Sequence, residues 1–406
     1  MKGKIEMCKA KTANDTVGID AISFYTPNYA LDLSNLAKAR GVVEDKYKKT
    51  FGQDKMSVSA IDEDIVTMSA SAAKEVMQDV SKDEIGFLIL ATETGIDASK
   101  SSGMFVHKLL DLPNNCRVLE LKQACYSGTG GIALSLPFLQ QNPNKKVLLI
   151  TADIARYTLC GTAESSGGAA AVAMILSTNP RILEIEEQSG VYAEDSMDFW
   201  RPNYTQEPIV NGKLSCDLYI RFLCTCFDDY INHGGATLDN IDYFCYHLSV
   251  PKLVTTAHKY LYQHIYKQPI PSELLTEHVG ASCAYGKLIG NCYTASLYLS
   301  FISLLDNCPE NLAGKRVAFY SYGSGSIGEF FSGIVKPNYK NFINTSYNKD
   351  LINGRAEITV EQYELWHQYS YVTDGSKLLL PKLQKGNFRL SGFDKHMRFY
   401  EKDGSS

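Results

Sequence analysis

Apolar runs of strand length alternate with helix-like stretches along most of this 406-residue chain. Seven of the runs are predicted to form strands. They cover residues 17–24, 86–92, 117–123, 146–151, 170–175, 241–247 and 316–322. Strands that alternate with helices in this way indicate an α/β fold.

The order of these strands repeats along the chain. The strand at 86–92 runs into the ionisable residue Glu93, and the strand at 241–247 ends in His247 in the same manner. The run 147–153 likewise has a counterpart in 317–323, so the chain is predicted to contain a duplicated α/β unit. The segment after about residue 336 is more polar, but it lacks the composition of a flexible linker and is predicted to form a covering lobe.

Cys125 lies where a buried strand is expected to turn into a helix, because small residues follow it and apolar residues at helical spacing come next. Free backbone N–H groups and the positive end of the helix dipole are expected to lower the pKa of its thiol and to hold a developing oxyanion. The alternative is a small buried cysteine on a packed turn, which is the commoner role of an isolated cysteine.

Four other features of the sequence are candidates for a functional site. Glu93 stands at a strand end, where ligands gather in α/β folds, and partial burial there would make it a general base. His247 ends a strand, and the glycine-rich turn 322–326 lets amides approach a ligand. Asn291 opens an apolar helix, as an N-cap or as a residue that orients a water or a carbonyl. Each has an ordinary structural role as its alternative: a turn carboxylate in water, a packed histidine, a tight connection.

Taken together, a thiolate, a carboxylate base, a histidine donor and amide-rich turns suit acyl transfer followed by carbon–carbon bond formation. No metal or redox cofactor is needed for such chemistry. A cysteine hydrolase uses similar parts, although it usually couples the cysteine directly to a histidine. A catalytically inactive scaffold is a third alternative, from a different class.

The composition limits the class of protein and its expected location. The chain is 45% hydrophobic and 21% charged with a net charge of −5, which is ordinary for a globular protein of one large or two medium domains. It has no basic stripe of the kind that binds nucleic acid, and residues 1–11 lack the apolar core of a signal peptide or a membrane span. A cytoplasmic location is expected. The eleven cysteines include no CxxC pair, so neither a disulfide framework nor a zinc site is indicated.

Eight stretches resemble the 3-hydroxy-3-methylglutaryl-CoA (HMG-CoA) synthases of the thiolase superfamily, in particular the bacterial form. They are residues 18–25, 62–68, 91–97, 122–126, 151–157, 197–204, 289–294 and 320–333. They occur in the order of the family and extend over nearly the whole chain.

The resemblance implies a thiolase-like, five-layered αβαβα fold of two similar halves, usually assembled as a homodimer. Residues 15–180 would form the half that carries Glu93 and Cys125. Residues 181–406 would form the half that carries His247, Asn291 and Ser324, together with the C-terminal lobe.

The resemblance also assigns the reaction. Cys125 matches the nucleophile that takes acetyl from acetyl-CoA, and Glu93 matches the acid/base that removes a proton from the acetyl methyl group. His247 matches the residue that positions acetoacetyl-CoA, so that the enolate attacks its C3 carbonyl and water then releases HMG-CoA. The implied activity is that of an acyltransferase of the mevalonate pathway, with CoA thioesters as substrates and no cofactor.

Seven further residues are assigned to substrate binding by the same resemblance: Asn291, Ser324, Tyr126, Asp153, Asp198, Arg40 and Lys252. Asn291 and Ser324 match positions that support the acceptor and oxyanion sites. The two aspartates match acids that support the catalytic residues from behind. Arg40 and Lys252 match basic positions near the entrance for pantetheine and phosphate.

Some stretches depart from the usual family pattern. Ser249 and Val250 replace a Pro-aromatic pair, and residues 164–170 replace a Pro-Thr-Gln-Gly-Ala-Gly run. Residues 115–117, 125–129 and 257–259 look more like the branch that acts on acyl-carrier-protein-bound β-ketothioesters in polyketide assembly. Lys252 and residues 198–204 favour CoA, so a carrier-protein partner stands as the alternative.

Overall fold

The computed structural model describes residues 16–402. Cys8, the lysine-rich start at residues 1–11 and the outermost positions of both predicted halves lie outside the described residues. All seven predicted strands are present in the part that is described.

The strands are β1 Val17–Tyr25, β2 Tyr29–Asp32, β3 Lys55–Val58, β4 Ile85–Ala91, β5 Arg117–Leu121, β6 Lys146–Ala155, β7 Gly168–Thr178, β8 Leu183–Ala193, β9 Phe199–Trp200, β10 Ile209–Val210, β11 Tyr243–Tyr246, β12 Arg316–Gly323, β13 Ile327–Val335, β14 Ala356–Glu357, β15 Leu378–Leu379, β16 Phe388–Asp394 and β17 Met397–Lys402.

The α-helices are α1 Leu33–Ala39, α2 Lys46–Phe51, α3 Ile65–Val76, α4 Ser102–Leu109, α5 Ser127–Gln141, α6 Gly212–Asn232, α7 Pro251–Tyr266, α8 Ser272–Val279, α9 Ala284–Ile289, α10 Ser296–Asn307, α11 Thr345–Asn353 and α12 Val360–His367. Short 3₁₀ turns occur at Lys82–Glu84, Glu164–Ser166, Leu238–Asn240, Tyr293–Ala295 and Tyr339–Phe342.

Nine strands form one hydrogen-bonded sheet in the order β11-β12-β13-β8-β1-β7-β6-β4-β5. Outward from the centre, β1, β7, β6 and β4 are joined by two antiparallel pairings and then a parallel one. The strands β8, β13, β12 and β11 repeat this sequence of pairings. The duplication predicted from the sequence is therefore present in the strand topology, and β5 is an additional strand of the first half.

Three large apolar cores hold the layers together, one around the central helices and one on the outer face of each half. The central core joins α5 and α10 to strands of both halves and includes Ile132, Leu149, Phe301 and Phe319. An outer core packs α3 and α4 on the first half, and another packs α6 and α7 on the second. Within the sheet, the two halves pair where Gly18 and Ile19 of β1 meet β8, and the central helices pack against strands of both halves. The thiolase-like α/β class predicted from the sequence is confirmed.

The two ends of the sheet differ. All four residues of β11 are buried, and His278 of α8 packs on Phe244. At the other end, Arg117 and Leu119 of β5 are exposed. Within residues 16–402, no strand pairs with the outer edge of β5.

The segment after Val335 forms the predicted lobe, but it packs on the first half of the chain. Strand β14 pairs with β2, and Trp366 of α12 packs edge-on against Tyr29 at 4.9 Å. The buried Asp62 accepts hydrogen bonds from the backbone of Leu383 and Gln384. The lobe thus continues the second half in sequence while it covers the first half in space. Across the described residues, every helix is too short or too polar to span a bilayer.

Candidate active site

The loop that carries Cys125 is a tight turn between β5 and α5. Ala124 has a φ of +44°, in the left-handed region that non-glycine residues rarely adopt. The hydroxyl of Ser127 donates to the carbonyl of Ala124 at 2.8 Å and accepts the backbone N–H of Gln123. Cys125 is therefore held just ahead of the first residue of α5, as the sequence predicted.

Cys125 and Glu93 are in direct contact. The Sγ atom of Cys125 donates to Oε1 of Glu93 at 3.1 Å. Burial raises the pKa of the Glu93 carboxyl to about 8, and the nearby Asp153 carboxylate adds to this effect. Glu93 is thus poised to exchange protons near neutral pH, as expected of a general base.

The prediction of a lowered thiol pKa is wrong for this structure. Burial raises the pKa of the Cys125 thiol well above its usual value, and the Glu93 carboxylate raises it further. The sequence argument considered only the helix dipole. A carboxylate in hydrogen-bonding contact and a desolvated site outweigh that dipole. The thiol therefore keeps its proton until a partner accepts it.

Asp153 joins the Glu93 turn to the second half of the protein. Its Oδ1 accepts from Thr92 Oγ1, Glu93 N and both N and Oγ1 of Thr94, at 2.6–2.9 Å. Its Oδ2 accepts from N and Oγ1 of Thr294, at 3.0 and 2.5 Å. The side chain is fully buried, and its six hydrogen bonds fix the position of Glu93 relative to the loop before α10.

The turn after β12 lies against the Cys125 loop. A Cβ atom on Gly323 would lie 2.7 Å from the carbonyl oxygen of Gln123, so this close approach requires glycine. The amide of Gln123 donates to the carbonyl of Ser324 at 3.4 Å. The buried Asp198 accepts from the hydroxyl of Tyr322 at 2.9 Å and from Gly325 N at 3.0 Å. The turn that carries Ser324 thus lies against the loop of Cys125, and Asp198 holds this turn in place.

His247 follows β11 with its side chain buried. Its Nδ1 atom has no hydrogen-bond partner among the described residues. Burial lowers its pKa to about 4, so the ring is neutral at physiological pH. Its backbone N–H donates to Tyr320 O at 2.7 Å, next to the β12 turn. A buried ring nitrogen without a partner, at a strand end of the kind where ligands bind in α/β folds, is suited to bind a substrate atom.

Asn291 lies in a tight loop before the 3₁₀ turn that precedes α10, so the helix begins later than the sequence indicated. Its Oδ1 accepts from Tyr293 N at 2.9 Å and from the hydroxyl of Ser296 at 3.0 Å. The N-cap positions of the 3₁₀ turn and of α10 are Cys292 and Ala295, so Asn291 is not the N-cap residue. Its Nδ2 donates to the hydroxyl of Tyr157 at 3.1 Å. Tyr157 packs in one apolar cluster with Tyr293 and Cys125.

Tyr157 and Arg201 are candidate site residues that sequence reasoning did not single out, although both lie in stretches that resemble the family. Arg201 is the cation whose charge opposes the rise in the pKa of Glu93. Tyr157 stands two residues beyond β6, just as Glu93 stands two residues beyond β4. This shared distance from the end of a strand is the sequence signal that could have identified Tyr157.

Three predicted binding residues are engaged elsewhere. The hydroxyl of Tyr126 donates to Glu329 at 2.7 Å. Arg40 makes a bidentate ion pair with Glu164 at 2.6 and 2.9 Å. It makes a second ion pair with Glu364 at 2.6 Å.

The third of these residues, Lys252, lies at the start of α7 with its Nζ donating to the carbonyl of Lys49 at 3.3 Å. The structure does not bring these three side chains to Cys125. Their assignment to substrate binding stays a prediction.

Two family models match almost the entire chain. The model described as the N-terminal part of hydroxymethylglutaryl-coenzyme A synthase matches residues 13–180. The model of the C-terminal part matches residues 183–272 and 259–403.

Known proteins match over similar lengths. The hydroxymethylglutaryl-CoA synthase of Enterococcus faecalis is 35% identical over 95% of this chain and 99% of its own length. The polyketide biosynthesis 3-hydroxy-3-methylglutaryl-ACP synthase of Bacillus subtilis is 32% identical over 86% of this chain and 87% of its own.

Solved structures agree with these matches. A crystal structure of an HMG-CoA synthase complexed with CoA superposes with a TM-score of 0.91 at 35% identity, and covers 95% of this chain and 100% of that one. The HMG synthase of the curacin biosynthetic pathway, in complex with a holo donor carrier protein, has a TM-score of 0.89 at 30% identity, with the same coverage. The chain therefore belongs to the hydroxymethylglutaryl-CoA synthase family and is a condensing acyltransferase.

Proposed function

We propose that this enzyme condenses acetyl-CoA with acetoacetyl-CoA and releases HMG-CoA. The observation that carries the proposal is the hydrogen bond between the Cys125 thiol and the Glu93 carboxylate, because it places a nucleophile and a proton acceptor 3.1 Å apart. A place in mevalonate formation and a cytoplasmic location remain predictions from the sequence.

The first step is transfer of the acetyl group. Sγ of Cys125 attacks the thioester carbonyl, the carbon–sulfur bond to CoA breaks, and the thiol proton passes through Glu93 to the leaving thiolate. Because the thiol pKa is raised, in part by the Glu93 carboxylate itself, proton transfer to Glu93 assists the attack. The turn at Ser324, which Asp198 holds against the Cys125 loop, borders the place of this attack.

The second step is carbon–carbon bond formation. Glu93 removes a proton from the methyl group of the acetyl-enzyme, and the resulting enolate attacks C3 of the acetoacetyl group. His247, neutral and with an unpartnered Nδ1, is suited to hold the acceptor thioester. Protonation of the C3 oxygen and hydrolysis of the Cys125 thioester then restore the enzyme. These steps use only groups of the chain, water and the two thioesters.

A carrier-protein substrate is the second candidate. It is supported by the 32% identity to a polyketide HMG-ACP synthase and by the curacin enzyme solved with a donor carrier protein. CoA is favoured because the identity to the Enterococcus enzyme is higher and extends over more of the chain.

A condensation assay read by mass spectrometry tests the carrier. Acetyl-CoA and acetyl-carrier protein are offered as donors, each with acetoacetyl-CoA or acetoacetyl-carrier protein as acceptor. Efficient HMG-CoA formation from the CoA pair is the expected result. Product confined to the carrier protein would instead identify a polyketide-branching enzyme, and an acetyl-enzyme without product would refute both acceptors.

The condensation step is expected to accelerate with increasing pH. Glu93 must be ionised to remove the methyl proton, and its pKa is raised to about 8. The rate should therefore rise about tenfold per pH unit below that value and level off above it. His247 is already neutral across this range, so its titration should not lower the rate at high pH. The check is a single-turnover reaction of preformed acetyl-enzyme with acetoacetyl-CoA, and a flat profile between about pH 6 and pH 9 would argue against Glu93 as the base.

We further propose that two chains pair through β5. The outer edge of this strand has no partner among the described residues, and Leu119 is 41% exposed on it. Leu134 of α5 and Met104 of α4 are also exposed apolar residues, at 45% and 43%, on the helices that flank this strand. An open strand edge bordered by apolar side chains is the surface by which sheets extend across a twofold axis.

Leu119→Glu is expected to shift the enzyme from dimer to monomer, because two glutamates would face each other across the axis. Light scattering after size exclusion measures the mass. The matched control is Leu379→Glu, which places the same charge on an exposed leucine of β15, at the edge of the small C-terminal sheet. A Leu119→Glu protein with the mass of the wild type would contradict pairing through β5.

A further inference from the structure

A cavity is formed where strands β3, β6 and β7 meet the C-terminal lobe. It is lined by the end of β3, the end of β6, the start of β7 and helix α12, and it is open to solvent on one side. Cys125, Glu93 and His247 are not among its lining residues. Nothing in the proposed reaction uses this space.

The lining of this cavity carries a positive charge, and the nearby carboxylates Glu164 and Glu207 lie outside the lining. Arg156 lines it and makes no ion pair or hydrogen bond with any described residue. Of the described residues that line the cavity, none is an aspartate or a glutamate. The nearby Glu164 is already bound by Arg40 through both of its oxygens. An arginine without a partner in a concave site is an anion-binding group.

A second guanidinium stands behind the cavity wall. Arg355 donates to Ser57 Oγ at 2.8 Å and to two backbone carbonyls, and the described residues give it no carboxylate partner. Burial lowers its pKa to about 10, so it remains a cation at neutral pH. Its field adds to that of Arg156.

The other walls define the shape of an occupant. Trp366 and Tyr363 form a buried aromatic surface, and Trp366 is fixed by its contact with Tyr29. The hydroxyl of Ser59 has no partner in the described chain and lines the cavity. Nε2 of His367 donates to the carbonyl of Tyr157 at 2.9 Å, which makes Nε2 the protonated nitrogen and leaves Nδ1 as an acceptor.

We propose that this cavity binds a small organic anion, with its carboxylate or phosphate group on Arg156 and Ser59 and a short apolar body against Trp366 and Tyr363. The donors match the anionic end, and the aromatic wall matches the apolar end. The site is distinct from the catalytic one, because Cys125, Glu93 and His247 are not among its lining residues. The proposal does not depend on the identity of the condensation substrates.

Trp366 provides a direct signal, because the chain has only one other tryptophan, Trp200. The full-length Trp200→Phe protein is titrated with butyrate and with butyl phosphate at constant ionic strength, and the emission of Trp366 is followed. A saturable change is expected with at least one of the two, and the tighter of them identifies the anionic group. Butylammonium and butanol, which share the apolar body, are expected to give none.

Arg156→Gln in the same background is expected to weaken binding by about tenfold or more, because a charge-assisted hydrogen bond is lost. Arg156→Lys should retain part of the affinity. Lys108→Gln, which removes one exposed positive charge on α4, is the control and should bind as its parent does. Equilibrium dialysis of radiolabelled butyrate and butyl phosphate repeats the comparison without fluorescence. The proposal is wrong if neither anion saturates, if Arg156→Gln binds unchanged, or if butylammonium binds equally well.

Discussion

Cys125→Ser is expected to reduce formation of the acetyl-enzyme by about 10⁴-fold or more. The serine hydroxyl is a far weaker nucleophile than a thiol, and its proton is held more tightly. The Glu93 carboxylate 3.1 Å away cannot compensate, because its own pKa is only about 8. Incubation with acetyl-CoA followed by intact-protein mass spectrometry measures the acetylated fraction with time.

The matched control for this experiment is Cys160→Ser, the same chemical change at an exposed free thiol. It should acetylate at the rate of the wild type. Acetylation of the Cys125→Ser protein at an undiminished rate would show that another residue is the nucleophile.

Glu93→Gln is expected to leave acetylation measurable and to lower the condensation rate by about 10³-fold. The amide preserves the size and hydrogen-bonding capacity of the side chain at Cys125, but it cannot take a proton from the acetyl methyl group. The two steps are separated by preparing the acetyl-enzyme first and then adding acetoacetyl-CoA under single-turnover conditions.

Glu63→Gln is a close control for the loss of a buried acid. Burial raises the pKa of Glu63 to about 8 as well, and its Oε1 accepts from the hydroxyl of Tyr25 at 2.9 Å. It should condense normally, because it is not part of the Cys125 pair. If both glutamine variants lost condensation to the same degree, the effect of Glu93→Gln would be structural and its assignment as the base would fail.

The strands could be predicted because each is an apolar run of strand length, and the repeat could be seen in two pairs of them. The residues at which the strands end were predicted less accurately. The run expected to stop at residue 151 continues as β6 to Ala155, since β7 pairs with it along its whole length. Asp153 therefore points from within a strand into the protein, where it can reach Thr294.

What the sequence could not provide were contacts between distant residues. The thiol pKa was predicted in the wrong direction because its sign depends on Glu93, which is 32 residues away in the chain. Arg40 was assigned to phosphate on its position alone, but its guanidinium is engaged by Glu164 and Glu364. The lobe after Val335 was predicted as a cover, yet only tertiary packing shows that it covers the first half. Such contacts form only when the layers assemble, so no local sequence pattern predicts them.

The unequal ends of the nine-stranded sheet limit how far assembly can proceed. If both halves of the duplicated unit ended in an open strand, each molecule would offer two equivalent edges and copies could add head to tail without limit. Here the second half ends in the buried strand β11, and the open edge belongs to β5. Two chains that pair through β5 consume the open edge of each sheet. If two chains pair through β5 as proposed, the loss of symmetry between the repeats ends the sheet at two copies.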